Sequence, residues 1–593
     1  MSVQQSNITD LNYDLVVGVS QTGMNGIMKN YYQNARANFQ QQTSYFMKNQ
    51  YGEKFMPTDE STALAALGID PFTITSWNGQ GTMPATVQQC VNAGFNAAFR
   101  FTPGDPGDPN ANPPTFPVGD YTYLTYVPNA PVYGSEAVFS YTLCCSDIQV
   151  VYWDATDNVW VNYTQPSTPG SPISSIVKFA GYAVAGTKTV AYNPSDNTLP
   201  PDVKAQAEAL QAKNISFAIQ QVPFQWDTME PSEHASLPFM PKLNQFYFEW
   251  LGTSFIYAYA QALENSSQNQ PVFCYALQQT NQSDQTVLNP TNLQVTMEQL
   301  VDANGNVISN PTPAQAVLDS FNYICSINGS KPVPAQQFNW NWFDTLADIN
   351  GNSSYNGALA MSKFTLGKAF FNQLKDYVQN NCWVPQITCA GINGKDAWSF
   401  SMTGAGPLHS DPVMENNSDN YFLFFTYAPQ PVTVHGVVNT SDYVTISPQF
   451  QLSVSIKDTK TITVFQWAKF TYTISLNGEE AMTGVPLDNS YTEDYTVSVT
   501  GTGTLVFQAG TPDIEKQGNQ ELVPYLTDAE SAQLQKSIVG TESSMQSAGL
   551  SAEPLGSTQQ VIFPGGSVFS FYDVQFTPKN DLACKINYEK TTS

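Results

Sequence analysis

Tyr13-Asp14-Leu15-Val16-Val17-Gly18-Val19-Ser20 runs directly into Gln21-Thr22-Gly23-Met24-Asn25-Gly26-Ile27-Met28-Lys29-Asn30-Tyr31-Tyr32, and the reading of this stretch decides the fold. Its first half is mostly aliphatic and β-branched, with Leu15, Val17 and Val19 alternating onto one face, which predicts a strand. Ser20 or Thr22 can cap a following helix by accepting from a free backbone N–H. In that helix Met24, Ile27, Met28 and Tyr31 recur at i, i+3, i+4 and i+7, a single apolar stripe. A strand that passes straight into an amphipathic helix, each with one apolar face, needs a long sheet to pack on.

The rest of the composition agrees with an extended, well-cored chain. Only 12% of the 593 residues are charged, against roughly 25% in ordinary soluble domains. Amide and hydroxyl side chains fill the polar positions instead. The hydrophobic share of 41% and aromatic share of 13% supply ample core, which excludes a disordered chain. The length suits several domains or one elongated one. We expect three stretches: a β-rich segment 1–200 opening with the strand–helix unit, an α+β segment 201–430, and a β-rich segment 431–593 with one helix.

Charge excludes some partners. Lys plus Arg number 23 against 49 Asp plus Glu, a net charge of −26, and arginine occurs at Arg36 and Arg100 alone. Nucleic-acid binding draws on cations that displace counterions from phosphates, so no nucleic-acid partner is expected. An anionic membrane is opposed by the same sign of charge. With a pI near 4.3, self-repulsion fades in mild acid and association becomes easier. Met1-Ser2-Val3-Gln4-Gln5-Ser6 lacks the basic and apolar regions of a secretory signal. No apolar run reaches the roughly 18 residues of a membrane-spanning helix. A cytoplasmic or vacuolar location is the expectation.

Along the chain, Gln33 to Met56 reads as polar and helical. Thr102 to Pro117 is a proline- and glycine-rich loop. Gln149 to Trp153 predicts a strand, and Asp202 to Lys213 a helix feeding a strand at Ile215 to Val222, after which strands and hairpins follow. Asn304-Gly305 signals a type I′ hairpin turn. Phe338, Trp340 and Trp342 alternate with asparagines, which places three rings on one strand face. Exposed, they form a platform for a sugar or lipid; buried, they are core. Met361 to Val378 carries the stripe Phe370, Leu374, Tyr377 and Val378. Tyr421 to Gln508 is almost all β. Thr527-Asp528-Ala529-Glu530 is a capping box ahead of Leu534 and Ile538. Two strands around Pro578 to Asp581 close the chain. The fold class expected is α+β and β-rich, with long twisted antiparallel sheets wrapping a few amphipathic helices in an elongated molecule.

Catalytic signatures are lacking. HExxH, GxSxG, GxxxxGK[ST] and GxGxxG do not occur. His409-Ser410-Asp411 has triad residue types, yet immediate neighbours cannot adopt triad geometry. Glu230, Glu233 and His234 sit close together and read either as an acid/base or metal site or as a solvated loop. The expectation is a non-enzyme without cofactor or metal. Cys90, Cys144, Cys145, Cys274, Cys325, Cys382, Cys389 and Cys584 are scattered without a CxxC, against the spacing of zinc sites. Two readings stay open for them: buried free thiols, or bridges between molecules with Cys144 and Cys145 as candidates.

Tyr13 to Val19, followed by the Met24/Ile27/Met28 helix, resembles the opening of P47-like proteins of the tubular lipid-binding (TULIP) superfamily. That resemblance implies a curved sheet around a long helix and non-catalytic binding of an apolar, lipid-like ligand in a groove. Met24, Ile27, Met28, Phe338, Trp340 and Trp342 are the residues expected to line such a groove or to fill a core. In bulk composition the chain is also similar to octin, the matrix protein of fungal vacuolar crystals. That likeness implies the alternative, a self-assembling structural protein favoured by acid pH, possibly disulfide-linked into a homo-oligomer or larger assembly.

Overall fold

A computed structural model describes residues 5–35, 38–48, 55–104, 123–126, 137–165, 178–196, 199–228, 245–264, 272–279, 288, 290–328, 333–334, 336–343, 345, 355–404, 421–518, 523, 525–542, 545–552, 555, 562–564 and 568–587. Strand exceeds helix among them and the named strands pair antiparallel, so the chain is α+β, β-rich and elongated.

The opening stretch sits at the middle of a sheet. Leu15–Ser20 is a strand and Gln21–Ala35 the helix that follows it. The strand pairs with Ser320–Ile327 on one side and Gly357–Met361 on the other. Pro290–Glu298 extends the sheet beyond the first partner; Leu582–Asn587 and then Ser570–Phe576 extend it beyond the second. This six-stranded sheet takes strands from all three stretches 1–200, 201–430 and 431–593. Distant parts of the chain thereby share one ladder of backbone hydrogen bonds.

All of Leu15–Ser20 is buried, because each face of the strand has its own cover. Leu15, Val17 and Val19 join the main core with Met24, Ile27 and Met28. Val16 faces a second core with Phe338, Trp340 and Trp342. The alternation is the two-residue period of a strand. Polar staples fix the ends. The buried Asp581 carboxylate accepts from Ser6 Oγ at 2.9 Å, the Ile8 N–H at 2.7 Å, the Thr9 N–H at 3.3 Å and Thr9 Oγ1 at 2.5 Å. Asp14 accepts from the Ile327 N–H at 2.9 Å and Thr365 Oγ1 at 3.1 Å.

An eleven-stranded sheet is the second layer; its longest path runs Ile562–Pro564, Val272–Gln279, Phe217–Thr228, Lys178–Ala185, Ala137–Asp154, Phe95–Pro103, Gln42–Lys48 and Phe55–Thr58. Here the helix expected across Gln33 to Met56 gives way: Gln42–Lys48 is a strand. Phe46 points into the main core, while Tyr45 and Met47 point into a third core with Leu67, Phe72 and Trp160. Alternating burial of large side chains outweighs the polar neighbours, the usual tertiary override of local preference.

A seven-stranded sheet from Tyr421–Tyr427 to Leu505–Ala509 completes the set. Thr461–Ser475 alternates buried and half-buried residues along its whole length, and Asn477 and Gly478 turn it with φ of 58° and 76°. Asn304-Gly305 also lies in a hairpin turn, but a wider one, because the Asp302 carboxylate gathers the Asn304 and Asn306 N–H groups. Helix Lys363–Asn380 buries Leu366, Phe370, Leu374 and Val378. The capping box forms: the Thr527 N–H donates to Glu530 Oε2 at 2.9 Å and the Glu530 N–H to Thr527 Oγ1 at 3.3 Å. Leu534 and Ile538 are buried behind it.

Candidate apolar-ligand site

A dense cluster of rings lies where two helices rest on the eleven-stranded sheet. One is the opening helix. The other, Gln245–Glu264, has the sequence QFYFEWLGTSFIYAYAQALE, apolar around almost its whole circumference. Tyr247, Leu251, Phe255, Ala258, Tyr259 and Ala262 form its buried side, at the spacing of one helical face. Tyr247 meets Phe46 at 4.9 Å between ring centroids and Phe255 meets Phe101 at 5.0 Å, so this helix lies on the sheet. Tyr259 meets Tyr32 of the opening helix at 5.8 Å, which closes the seam between the two. Phe139, Phe273 and Phe321 continue the ring cluster to the six-stranded sheet, at 5.1 Å and 5.3 Å from Phe139.

The seam's phenols spend their polarity on the protein. Tyr31 Oη donates to the Val272 carbonyl at 2.8 Å and accepts the Val272 N–H at 3.1 Å. Tyr259 Oη donates to the Cys144 carbonyl at 2.7 Å and accepts the Gly104 N–H at 2.8 Å. Tyr126 Oη donates to the Val19 carbonyl at 3.1 Å, and Tyr247 Oη accepts from Asn96. Burial pushes Tyr31 and Tyr247 up to about 12, so both stay neutral phenols at physiological pH. Asn25 does the same work with its amide: Nδ2 donates to the Leu124 carbonyl at 3.0 Å and Oδ1 accepts the Leu124 N–H at 2.6 Å. What these groups leave facing the seam is hydrocarbon and ring surface. At its outer side the same helix exposes Tyr257 (64%) and Trp250 (38%).

The residues singled out from sequence do not converge on one groove. Met24, Ile27 and Met28 are buried in the main core beside the seam. Phe338, Trp340 and Trp342 are buried on the opposite face of the six-stranded sheet. They also lie on a coil segment and not on a strand. Asn341 explains that: its amide accepts the Val301 N–H at 2.8 Å and donates to the Val301 carbonyl at 2.9 Å, doing the pairing that backbone would do in a strand. The rings stack inward instead, Phe338 on Trp340 at 4.5 Å. Helix Gln245–Glu264 escaped the sequence reading, although Tyr247, Leu251, Phe255 and Tyr259 recur every four residues without a proline between them.

Cys144 and Cys145 are both fully buried, so neither thiol reaches this chain's surface, and no disulfide joins any of the eight cysteines. Burial raises Cys145 well above the ordinary thiol range. Among the described residues no group of three or more His, Cys, Asp or Glu side chains could hold a metal ion. The Glu230/Glu233/His234 and His409/Ser410/Asp411 groups lie outside the described residues. No described helix is long and apolar enough to cross a membrane. A surface pocket of about 520 Å³ lies apart from the seam, lined by Ser76, Trp77, Asn78, Val159, Trp160 and Val161. Its Ser76 hydroxyl is committed to the Asn162 backbone in both directions.

No family profile matches the sequence, and no curated protein does. Among solved structures, the chain is similar to P47 from Clostridium botulinum A2, at 12% identity over 97% of each chain with a TM-score of 0.39. It is also similar to lipopolysaccharide binding protein, at 7% identity over 98% of this chain and 100% of that one, with a TM-score of 0.27.

Proposed function

We propose that this protein is a non-catalytic binder of an apolar, lipid-like ligand, taken up along the seam between the two helices and the eleven-stranded sheet. One observation carries the reading: the seam is built of rings and aliphatic groups, with the Tyr31, Tyr126 and Tyr259 phenols and the Asn25 amide tied to backbone and the Tyr247 phenol to Asn96. A lipid chain offers nothing that requires a polar partner, and apolar walls with their polarity spent elsewhere suit it. The half-exposed Trp250 and exposed Tyr257 mark where such a chain would enter along helix Gln245–Glu264.

Titration with a fluorescent fatty acid tests it. Uptake should saturate near one ligand per chain and hold steady as salt rises, because no ion pair takes part. Tyr257→Ser should weaken uptake several-fold while leaving the melting temperature in place; Trp250→Ala should weaken it too and also lower the melting temperature, because the Trp250 ring packs edge-on against Phe46 at 5.9 Å. An unsaturable signal, or one unmoved by both substitutions, would count against the seam.

A further inference from the structure

The strands Pro290–Glu298 and Ser320–Ile327 stay paired as far as Glu298 and Ser320, yet the chain does not turn there. Residues 299–319 run out as one long excursion over the second core, where an ordinary hairpin loop has about 2–5 residues. Leu300 and Leu318 sink into that core, and Ile308 and Val317 pack against its edge. Beneath them stand Phe338, Trp340 and Trp342. The excursion is tied to the ring segment by the Asn341 pairing with Val301 and by Gln337 Nε2, which donates to the Gln299 carbonyl at 3.3 Å.

A carboxyl stands at each end of the excursion's neck, and both are buried: Glu298 is 5% exposed and Asp319 4%. Asp319 Oδ1 accepts the Leu300 N–H at 2.9 Å, which closes the neck on itself. Glu298 Oε2 accepts the Phe338 N–H at 3.4 Å and Oε1 accepts from Thr296 Oγ1 at 3.0 Å, which fastens the neck to the ring segment. Among the described residues neither carboxyl has a cationic partner. Tyr13 is the titratable group that feels Glu298, and it stays a neutral phenol, accepting the Gln336 N–H at 2.8 Å and donating to the Pro334 carbonyl at 2.9 Å. The excursion itself adds Asp302, which holds its outer turn. Across the core Lys585 lies 4.4 Å over the Tyr355 ring.

We infer that residues 299–319 are a flap, hinged at Glu298 and Asp319, that opens over the Phe338, Trp340 and Trp342 rings when these two carboxyls ionise. A neutral carboxyl accepts a backbone N–H and stays buried at little cost. An ionised one accepts it more strongly, but with no cation beside it the loss of water outweighs that gain, and opening the neck restores the water. The balance shows in the direction of both groups. Burial, against their hydrogen bonds, raises Glu298 from 4.5 to about 7 and Asp319 from 3.8 to about 6. Groups raised in the closed form favour closure fully below about pH 4 and cease to as pH rises through 6 and 7. The flap lies across the six-stranded sheet from the seam, so its opening is independent of the seam's ligand.

Hydrogen exchange of the full chain at residues 299–308 and 336–343, corrected for the intrinsic pH dependence of exchange, tests this between pH 5 and pH 8. Wild-type protection there should fall on the order of a hundredfold. The Glu298→Gln/Asp319→Asn double variant keeps an acceptor at each site and cannot ionise, so its protection should stay flat. Glu298→Gln alone should keep the step near pH 6 and lose the one near pH 7, which frees the test from the folding of the double variant. Wild-type protection that is flat or rises with pH would overturn the inference, as would a fall of equal size in the variants.

Discussion

Replacing Asp581 by alanine should release the N-terminal segment from the sheet, at a cost that depends on pH in a defined direction. The carboxylate is fully buried and holds four donors from Ser6, Ile8 and Thr9. The two hydroxyls can turn elsewhere, but the Ile8 and Thr9 N–H groups lose their acceptor, at about 1–3 kcal/mol each. Burial, against those hydrogen bonds, pushes the Asp581 carboxyl up from 3.8 to about 7. A carboxyl raised on folding binds its proton more tightly in the folded chain. The stability it contributes is therefore present below about pH 4 and lost as pH rises through about 7. Roughly 3 pH units at ~1.4 kcal/mol each makes that loss about 4 kcal/mol in wild type, and the alanine variant cannot show it. The self-repulsion of the −26 chain changes with pH too, but it acts alike in both proteins and cancels in their difference. Hydrogen exchange at residues 6–14, followed with thermal melts at pH 5 and pH 8, reads both effects. The variant should lose protection there, and its deficit should be larger at pH 5 than at pH 8. A protected segment, or a deficit that grows with pH, would refute the reasoning.

Other substitutions probe the same framework. Gly18→Ala places a Cβ 2.9 Å from Asn322 Oδ1 and from the Trp342 ring; overpacking of that kind should cost about 1–3 kcal/mol in chemical denaturation. Ile27→Asp buries an unpaired charge beneath the opening helix and should cost on the order of 3 kcal/mol or more, seen as a lowered melting temperature. Cys144 and Cys145 should resist a thiol reagent in the native chain and react after denaturation, and light scattering between pH 7.5 and 4.5 should not change on adding a reductant.

What could be read from sequence was what local periodicity carries. The opening strand and helix, the helix bearing Phe370, Leu374 and Val378, and the Thr527/Glu530 capping box are each defined by residues within a few positions of one another. Long-range pairing is not. Nothing near Leu15 says that it will lie between Cys325 and Met361, and so nothing says that both faces of its strand will be covered. Gln42–Lys48 misled for that reason: its strand pattern shows only once Phe46 and Tyr45 have opposite cores to enter. The Phe338 to Trp342 rings alternate as a strand would, yet they lie on coil, since only the partner at Val301 reveals Asn341 as the group that replaces a strand. The seam itself depends on helix Gln245–Glu264 meeting a strand near Phe101, a contact that sequence spacing does not encode.

Native mass spectrometry of the full-length chain, before and after incubation with a long-chain fatty acid or phospholipid, tests the central claim most directly. The account predicts either a co-purified adduct of lipid mass that organic extraction removes, or stoichiometric uptake by the extracted protein, with Tyr257→Ser weakening retention. A chain that carries the bare polypeptide mass as purified, and still carries it after incubation with excess lipid, would contradict it.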